Sequence, residues 1–148
     1  MKYIRKSICS LLLCVSMLAV LLTGCSGGKG TAATGNARIL IATCAKGDAF
    51  RDMLIAALES ACDEQGIGHD TVYAEQSAEQ QVAQVKEAKS QGYTAVICRL
   101  IDVDTALQVE RAADGLPVIF VNNCPDEGYL KADEYIYVAS NESVAGSY

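Results

Sequence analysis

The sequence predicts an α/β fold, a doubly wound parallel sheet, from three observations. Short apolar runs alternate with longer amphipathic segments in the order βαβαβαβ, and a polar loop and a last strand follow. The segment 116–125, LPVIFVNNCP, has four consecutive apolar residues after its proline, which is typical of a strand buried on both faces. Its polarity changes abruptly at Asn122 and Asn123, and polar residues also follow the earlier strands within a few positions.

Five apolar runs are predicted as strands. The first is Arg38–Thr43, the third is Ala95–Cys98 and the fourth is Val118–Val121. Residues 71–74 form a short second strand, and residues 135–139 (YIYVA) form the fifth. Parallel strands joined by right-handed crossovers have few possible topologies. We therefore expect a crevice where the strand order reverses, between the first and third strands.

The clearest helix is predicted over residues 48–65. Asp48 is placed as its N-cap, and Gly66 ends it. Seven apolar residues recur with the spacing of a single helix face, which we expect to be buried. They are Phe50, Met53, Leu54, Ala57, Leu58, Ala61 and Cys62.

Three further helices follow from capping signals. A capping box, SAEQ at 77–80, opens a second helix over 77–91, which Gly92 ends. Asp102 or Asp104 caps a third helix that reaches Ala113, with Val103, Ala106 and Leu107 as its apolar face. The inward residues of the second helix are predicted to be Ala78, Val82, Val85 and Ala88. A fourth helix starts at Ser140 or Asn141.

The first 24 residues have the pattern of an export signal. A positive segment with Lys2, Arg5 and Lys6 precedes an apolar stretch over 7–22, which is shorter than a full membrane span. The sequence LTGC at 22–25 is similar to the lipobox of bacterial lipoprotein signals, in which the cysteine is lipidated and becomes the first mature residue. This similarity implies lipidation at Cys25; the alternative is an ordinary secretory signal with a chance cysteine.

The organisation after the signal follows from composition and charge. Residues 25–37 are small, polar and Gly-rich, as in a flexible tether, and residues 38–148 form the domain. Beyond the signal the chain keeps nine of its 12 basic and all 18 acidic residues, a net charge of −9. Nucleic-acid binding needs a basic face, so this class of partner is excluded. A lipid at Cys25 would hold the chain on the outer membrane surface without spanning the bilayer.

The cysteines and the single histidine give little support to an enzyme or a metal protein. Cys44, Cys98 and Cys124 fall at the ends of neighbouring strands, which is compatible with a metal, a disulfide or, as we predict, small buried apolar side chains. His69 is predicted to be an exposed residue of a Gly-His-Asp turn. No catalytic triad pattern or GxGxxG fingerprint is present, so we expect no cofactor, no metal and no catalysis.

Polar side chains after three strands form the candidate binding edge. Asp48 and Phe50 follow the first strand, Arg99 follows the third, and Asn122 and Asn123 follow the fourth. A carboxylate accepts two hydroxyl protons, an amide both donates and accepts, and an aromatic face covers apolar C–H groups. This combination suits a polyhydroxylated ring, so we expect the edge to capture a small molecule, most simply a sugar.

Three segments together resemble the amino-terminal lobe of type I periplasmic sugar-binding proteins of ABC transporters. They are 38–61 (RILIATCAKGDAFRDMLIAALESA), 74–106 and 116–146, with a D-x-F pattern after the first strand, asparagine before a polar loop with proline, and YVASNESVAG. The resemblance is nearest to galactose/glucose-binding and ribose-binding members. It implies a monosaccharide ligand, an ABC permease as membrane partner and hinge closure of two lobes on the ligand. The family has a second lobe, so the chain is expected to be an incomplete amino-terminal lobe.

The resemblance also implies roles for individual residues. Asp48 and Phe50 match the family's ligand carboxylate and stacking ring, and Asn122 matches an asparagine that binds sugar hydroxyls. Arg99 stands where many members have a polar ligand-facing residue, often asparagine. Asn123 stands where ribose-binding members have a ligand-facing arginine.

Simpler explanations exist for the same residues. Asp48 is also a helix cap, Phe50 can be core, and both asparagines can be turn residues. Asp102 is predicted to be a cap rather than a ligand contact, and Arg99 can pair with Asp102 or Asp104. At the level of function, the alternatives are a sensory lipoprotein that reports to a kinase or chemoreceptor and an exported flavodoxin-like enzyme.

Overall fold

The computed structural model describes residues 37–140. These residues form one parallel five-stranded sheet, in which the strands, counted along the chain, lie side by side in the order second, first, third, fourth, fifth. The predicted signal over 1–24, lipidation at Cys25, most of the tether and the fourth helix lie outside the described residues. The strand order reverses between the first and third strands, which confirms the predicted reversal point.

Four of the five strand predictions agree closely with the structure. β1 is Arg38–Thr43, β3 is Ala95–Cys98 and β4 is Val118–Val121, each with the predicted bounds, and β5 is Tyr135–Val138, one residue shorter than predicted. β2, Gly68–Tyr73, begins three residues before the prediction.

The early start of β2 overturns the prediction for His69. This residue pairs with Ile39 in the sheet, and its side chain is only 18 % exposed. The Gly-His-Asp sequence therefore begins a strand and not an exposed turn. The physical reason is that β1 runs alongside the segment and its backbone can pair with it from Gly68 onward, whatever the turn propensity of the glycine.

Helix α1, Ala49–Gln65, begins and ends as predicted. Asp48 is the N-cap, and its Oδ1 accepts a hydrogen bond from the Arg51 backbone N–H at 2.9 Å. Gly66 ends the helix with a φ of +67°, a conformation that glycine adopts at little cost.

The buried face of α1 agrees with the predicted one only in part, since Cys62 is buried and Leu54 and Leu58 pack against the core. Ile55 and Cys62 are buried, whereas Phe50 is 56 % and Met53 65 % exposed. The hydroxyl of Thr71 on β2 donates to a Glu59 carboxylate oxygen at 2.6 Å, so the helix is turned with its Glu59 side towards β2. The predicted apolar stripe is therefore only partly covered, and Phe50 is not core.

Helix α2, Ala78–Ala88, begins after Ser77, whose hydroxyl oxygen accepts from the Gln80 backbone N–H at 3.2 Å. The helix ends three residues earlier than predicted. Val85 and Ala88 are buried as expected, but the third buried side chain is Gln81 and not Ala78 or Val82.

The third predicted helix is divided in two. A short 3-10 turn, Val103–Thr105, precedes helix α3, Ala106–Ala112. Asp102 caps the turn through its Oδ1, which accepts from the Asp104 backbone N–H at 3.0 Å, so its role as a cap is confirmed. The predicted apolar face is wrong in part, since Val103 is 39 % exposed while Val109 and Glu110 are buried.

The core lies in two layers, one on each face of the sheet. Alternate strand residues such as Val96, Val118 and Phe120 pack with residues of α2 and α3. The intervening residues, among them Ile41, Ile97 and Val121, pack with α1. Helices thus cover both faces, which confirms the doubly wound α/β prediction. β4 is covered more fully on the α2–α3 face, because Ile119 on the α1 face stays partly exposed.

Candidate functional site

The candidate site is the sheet edge formed by the carboxyl ends of β1, β3 and β4, which we call the rim. Its residues come from the loops that follow these strands: Asp48, Phe50, Arg99, Asn122 and Asn123. The ends of β1 and β3 flank the point where strand order reverses, the usual ligand position in open α/β sheets.

Asp48 is oriented by helix α1. Its Oδ1 is bound to the Arg51 backbone N–H, and the Arg51 Nε lies 3.9 Å from the same oxygen. The hydrogen bond from the Arg51 backbone, followed by the charges of Arg51 and Arg99, lowers the pKa of the Asp48 carboxyl. The side chain is 45 % exposed, so an ionised carboxylate is presented at the rim.

The side chain of Arg99 extends from the end of β3 to the end of β1, across the point where the strand order reverses. Its Nη1 donates to the Cys44 Sγ at 3.2 Å, and Cys44 is fully buried. The Arg99 backbone is fixed on two sides, since its N–H donates to the Ala42 carbonyl at 3.0 Å and its carbonyl accepts from Gln81 Nε2 at 2.9 Å. Neither Asp102 nor Asp104 pairs with Arg99 in the described part of the chain, so that alternative is wrong.

Asn122 and Asn123 form a linked pair after β4. Asn122 Nδ2 donates to Asn123 Oδ1 at 2.7 Å, and Asn123 Nδ2 donates to the Leu100 carbonyl at 2.7 Å. Asn122 has a φ of +66°, which asparagine tolerates better than most residues, and its carbonyl accepts from the Tyr137 hydroxyl at 3.0 Å. Asn123 therefore joins the β3 and β4 loops, while Asn122 faces the groove described next.

A groove of about 450 Å³ lies on the α1 side of the rim. Phe50, from α1, and Asn122, from the β4 loop, both line it. Its lining residues are Phe50, Leu54, Leu58, Val121, Asn122, Val138, Ala139 and Ser140. The lining is mainly apolar with one amide, which can cover the C–H face of a small molecule and bind one of its polar groups.

The structure thus brings the predicted residues together in two adjoining groups. Phe50 and Asn122 share the groove; Asp48 and Arg99 interact electrostatically at the reversal point, outside the groove lining. Asp48 and Phe50 belong to the same helix start, so the groups adjoin. Asn123 is largely engaged in holding loops.

The thiols show no metal arrangement in the part of the chain described. No group of three or more His, Cys, Asp or Glu side chains there is placed to hold a metal ion. Cys44 and Cys98 are buried free thiols, as predicted, and burial raises the pKa of Cys98 to about 12. Cys124 is exposed, so the prediction that it is buried is wrong; it stands in the rim loop before Pro125 and not at the strand end.

Sequence reasoning missed three residues that shape the rim. Gln81 is fully buried and holds the β3 loop by accepting from the Ile101 N–H at 3.1 Å as well as donating to Arg99. Tyr137 supports Asn122 from β5, and Arg51 flanks Asp48. Of the three, only Gln81 could have been found from the sequence, because it lies four residues before Val85 on the predicted inward face of its helix.

No helix among residues 37–140 has the length and apolar character needed to cross a bilayer. Comparison with known families and with curated proteins finds no match to this chain.

Solved structures with the same fold do exist. The chain is similar to a periplasmic ribose ABC transporter from Conexibacter woesei, with a TM-score of 0.65 and 21 % identity over 80 % of this chain and 39 % of that one. An ABC transporter solute-binding protein from Actinobacillus succinogenes with bound D-allose gives a TM-score of 0.56 and 20 % identity over 69 % of this chain and 38 % of that one. The fructose-binding periplasmic domain of a hybrid two-component system gives a TM-score of 0.56 and 22 % identity, over 74 % of this chain and 36 % of that one.

These neighbours are periplasmic sugar-binding proteins, the class that the sequence resembles, and the fold prediction is confirmed. The chain spans less than half the length of each of the three. At this level of identity the similarity shows a shared fold.

Proposed function

We propose that this chain forms the ligand-binding lobe of an extracytoplasmic sugar-binding protein that serves an ABC importer. The protein binds its ligand without chemical turnover. In this proposal it is exported by the signal over 1–24, held on the outer membrane surface by a lipid at Cys25 and docked on a permease when ligand is bound. Asp48, Phe50, Arg99, Asn122 and Asn123 form this lobe's share of the site.

The observation that carries the proposal is that Phe50 and Asn122 line the same groove. Phe50 is 56 % exposed and lines the groove with Leu54 and Val138, and such a contiguous exposed apolar surface is typical of a ligand-binding groove. A sugar ring has one apolar face and polar edges, so Phe50 can cover the face while Asn122 and the Asp48 carboxylate bind hydroxyls.

The neighbouring structures support the same class of ligand. One holds D-allose, and others hold arabinofuranose or myo-inositol, all polyhydroxylated rings or ring-forming sugars. An exported chain with an acidic mature part also suits small-molecule capture better than nucleic-acid binding.

One observation favours ligand sensing as the second candidate. The fructose-binding neighbour is the periplasmic domain of a hybrid two-component system, so this fold also serves receptors. Reconstitution of the full gene product with a candidate ABC permease would distinguish the two, because transport requires ligand-dependent stimulation of that permease. Absence of stimulation, with signalling through a neighbouring kinase, would favour sensing.

The binding experiment uses the full gene product and a panel of monosaccharides, measured by thermal shift and calorimetry. Binding raises the melting temperature by mass action. The double variant D48A/N122A should lose roughly tenfold or more in affinity, since hydrogen bonds to the ligand are removed.

The variant D48N separates the two roles of Asp48. Asparagine is also a good N-cap, so D48N should keep helix stability while weakening binding. D133N, which removes an exposed carboxylate just before β5 at the opposite edge, is the matched control and should bind normally. Absence of a thermal shift with every sugar would contradict the proposed function, and full affinity in D48A/N122A would show that other residues bind the ligand.

A further inference from the structure

Two arginines at the rim are incompletely paired. In the described part of the chain, four buried side-chain N or O atoms have no hydrogen-bond partner, and two of them are the Nε atoms of Arg51 and Arg99. Both arginines flank Asp48, although the chain as a whole is acidic. A buried N–H without an acceptor costs free energy, so such atoms call for a missing partner.

Arg99 has the weaker set of partners. Within residues 37–140 its side chain donates one hydrogen bond, to the Cys44 sulfur, and a thiol is a poor acceptor for a charged donor. No described carboxylate lies within ion-pair distance of it, although a guanidinium that is not fully exposed normally has one. Its backbone is held by Ala42 and Gln81, so the side chain starts from a fixed position at the reversal point.

Nearby anions do not supply the missing partner. Asp48 uses Oδ1 to cap α1 and stays 3.9 Å from the Arg51 Nε. Asp52 accepts the Gly47 backbone N–H at 3.0 Å through Oδ2. The N-terminus of the 17-residue helix α1, whose dipole is positive at this end, adds to the positive potential at the rim. The reversal point therefore favours an anion.

We propose that the ligand is an acidic monosaccharide, a uronic or aldonic acid, whose carboxylate binds the guanidinium of Arg99. This inference rests on the proposed function and names its substrate class. The planar guanidinium can bind a carboxylate through two parallel hydrogen bonds, which the Cys44 sulfur cannot replace. Phe50 and Asn122 then bind the ring, and Asp48 accepts its hydroxyl protons.

The test compares D-galacturonate with D-galactose, and D-glucuronate and D-gluconate with D-glucose, by calorimetry on the full gene product. At least one acid should bind roughly tenfold or more tightly than its neutral counterpart, as expected for charge-assisted hydrogen bonds. The preference should weaken as salt rises. R99N should abolish the preference of the protein for the acid over its neutral counterpart, while R111Q, at an exposed arginine of α3, should keep it.

A second measurement does not depend on any variant. The ¹⁵Nε–¹Hε resonance of Arg99 should shift further on addition of the acid than on addition of the neutral sugar. Neutral sugars that bind as tightly as the acids would overturn this inference and leave the proposed function intact. No binding by any acid or neutral sugar would overturn both. If only galactose 6-phosphate bound, the anionic group of the ligand would be a phosphate and not a carboxylate, and the proposal of a uronic or aldonic acid would be overturned.

Discussion

At the residue scale, one side chain can have a structural and a ligand role together. Asp48 is predicted both as a helix cap and as a ligand carboxylate; the cap is confirmed and uses Oδ1. For Phe50 the structural role is not found: its place in an apolar stripe predicts a core residue, but its side chain is mainly exposed. Periodicity identifies which residues share a face but not how far a neighbouring layer extends over it.

Glu110 on α3 allows a prediction on pH dependence. It is only 6 % exposed, its Oε1 has no described partner, and burial raises the pKa of its carboxyl above the ordinary value of 4.5. Between that value and the folded-state pKa, the folded protein binds more protons than the unfolded chain. Ionisation of buried Glu110 therefore destabilises the folded protein fully above the folded-state pKa and not at all below about 4.5.

The variant E110Q should accordingly increase the free energy of unfolding at pH 7 by about 1 kcal/mol, because it removes a buried charge. This gain in the free energy of unfolding should shrink as pH falls below the folded-state pKa of Glu110 and disappear near pH 4. Denaturant titrations at several pH values measure it. E127Q, at an exposed position, is the control and should show little effect. A gain that is the same at pH 4 and pH 7 would show that ionisation of Glu110 is not the cause.

At the scale of elements, strands were predicted better than helix faces. Apolar, β-branched runs such as Val118–Val121 are bounded by abrupt polarity changes, which is why their bounds agree with the structure. β2 lacks this contrast, because His69 and Asp70 interrupt it, and only pairing with β1 shows that it starts at Gly68. The orientation of α1 depends on a contact between Glu59 and Thr71 that no local pattern encodes.

Helix α2 positions the rim through Gln81. Its amide binds the Arg99 carbonyl and the Ile101 N–H, so replacement by leucine leaves two loop groups without their partner. Q81L should lower the free energy of unfolding by about 2 kcal/mol and weaken ligand binding, because the β3 loop is no longer fixed. Urea titration measures the first effect and calorimetry the second.

The matched control for Q81L is Q80L, the same substitution at the exposed neighbouring position of the same helix. It should change stability by less than about 0.5 kcal/mol, because the backbone N–H of Gln80, and not its side chain, makes the capping bond to Ser77. If Q81L were as stable as the wild type, the Gln81 contacts would not hold the loop.

At the scale of the whole molecule, topology accounts for the site. Alternation of strands and helices predicted the parallel sheet, and the order β2-β1-β3-β4-β5 brings loops from distant parts of the chain to one edge. That Asp48, Arg99 and Asn122 share an edge was therefore predictable. Their partners, such as Cys44 for Arg99 and Tyr137 for Asn122, come from packing between elements and were not.

Within residues 37–140, two helices cover one face of the sheet and one covers the other. Ile136 and Val138 of β5 lie on the face of α1 and are 40 % and 54 % exposed, beside the groove. An apolar surface next to a polar rim is typical of a binding region. We therefore expect the ligand on the α1 side of the sheet, where the groove lies.

Residue-resolved NMR of the full gene product with its tightest-binding monosaccharide is the most direct test of the central claim, that the carboxyl edge of the sheet binds the ligand. We predict that amide shift changes concentrate at residues 45–50, 99–102 and 122–125. Changes confined to the opposite edge, near Gly68 and Tyr135, or absent from all three rim segments, would contradict it.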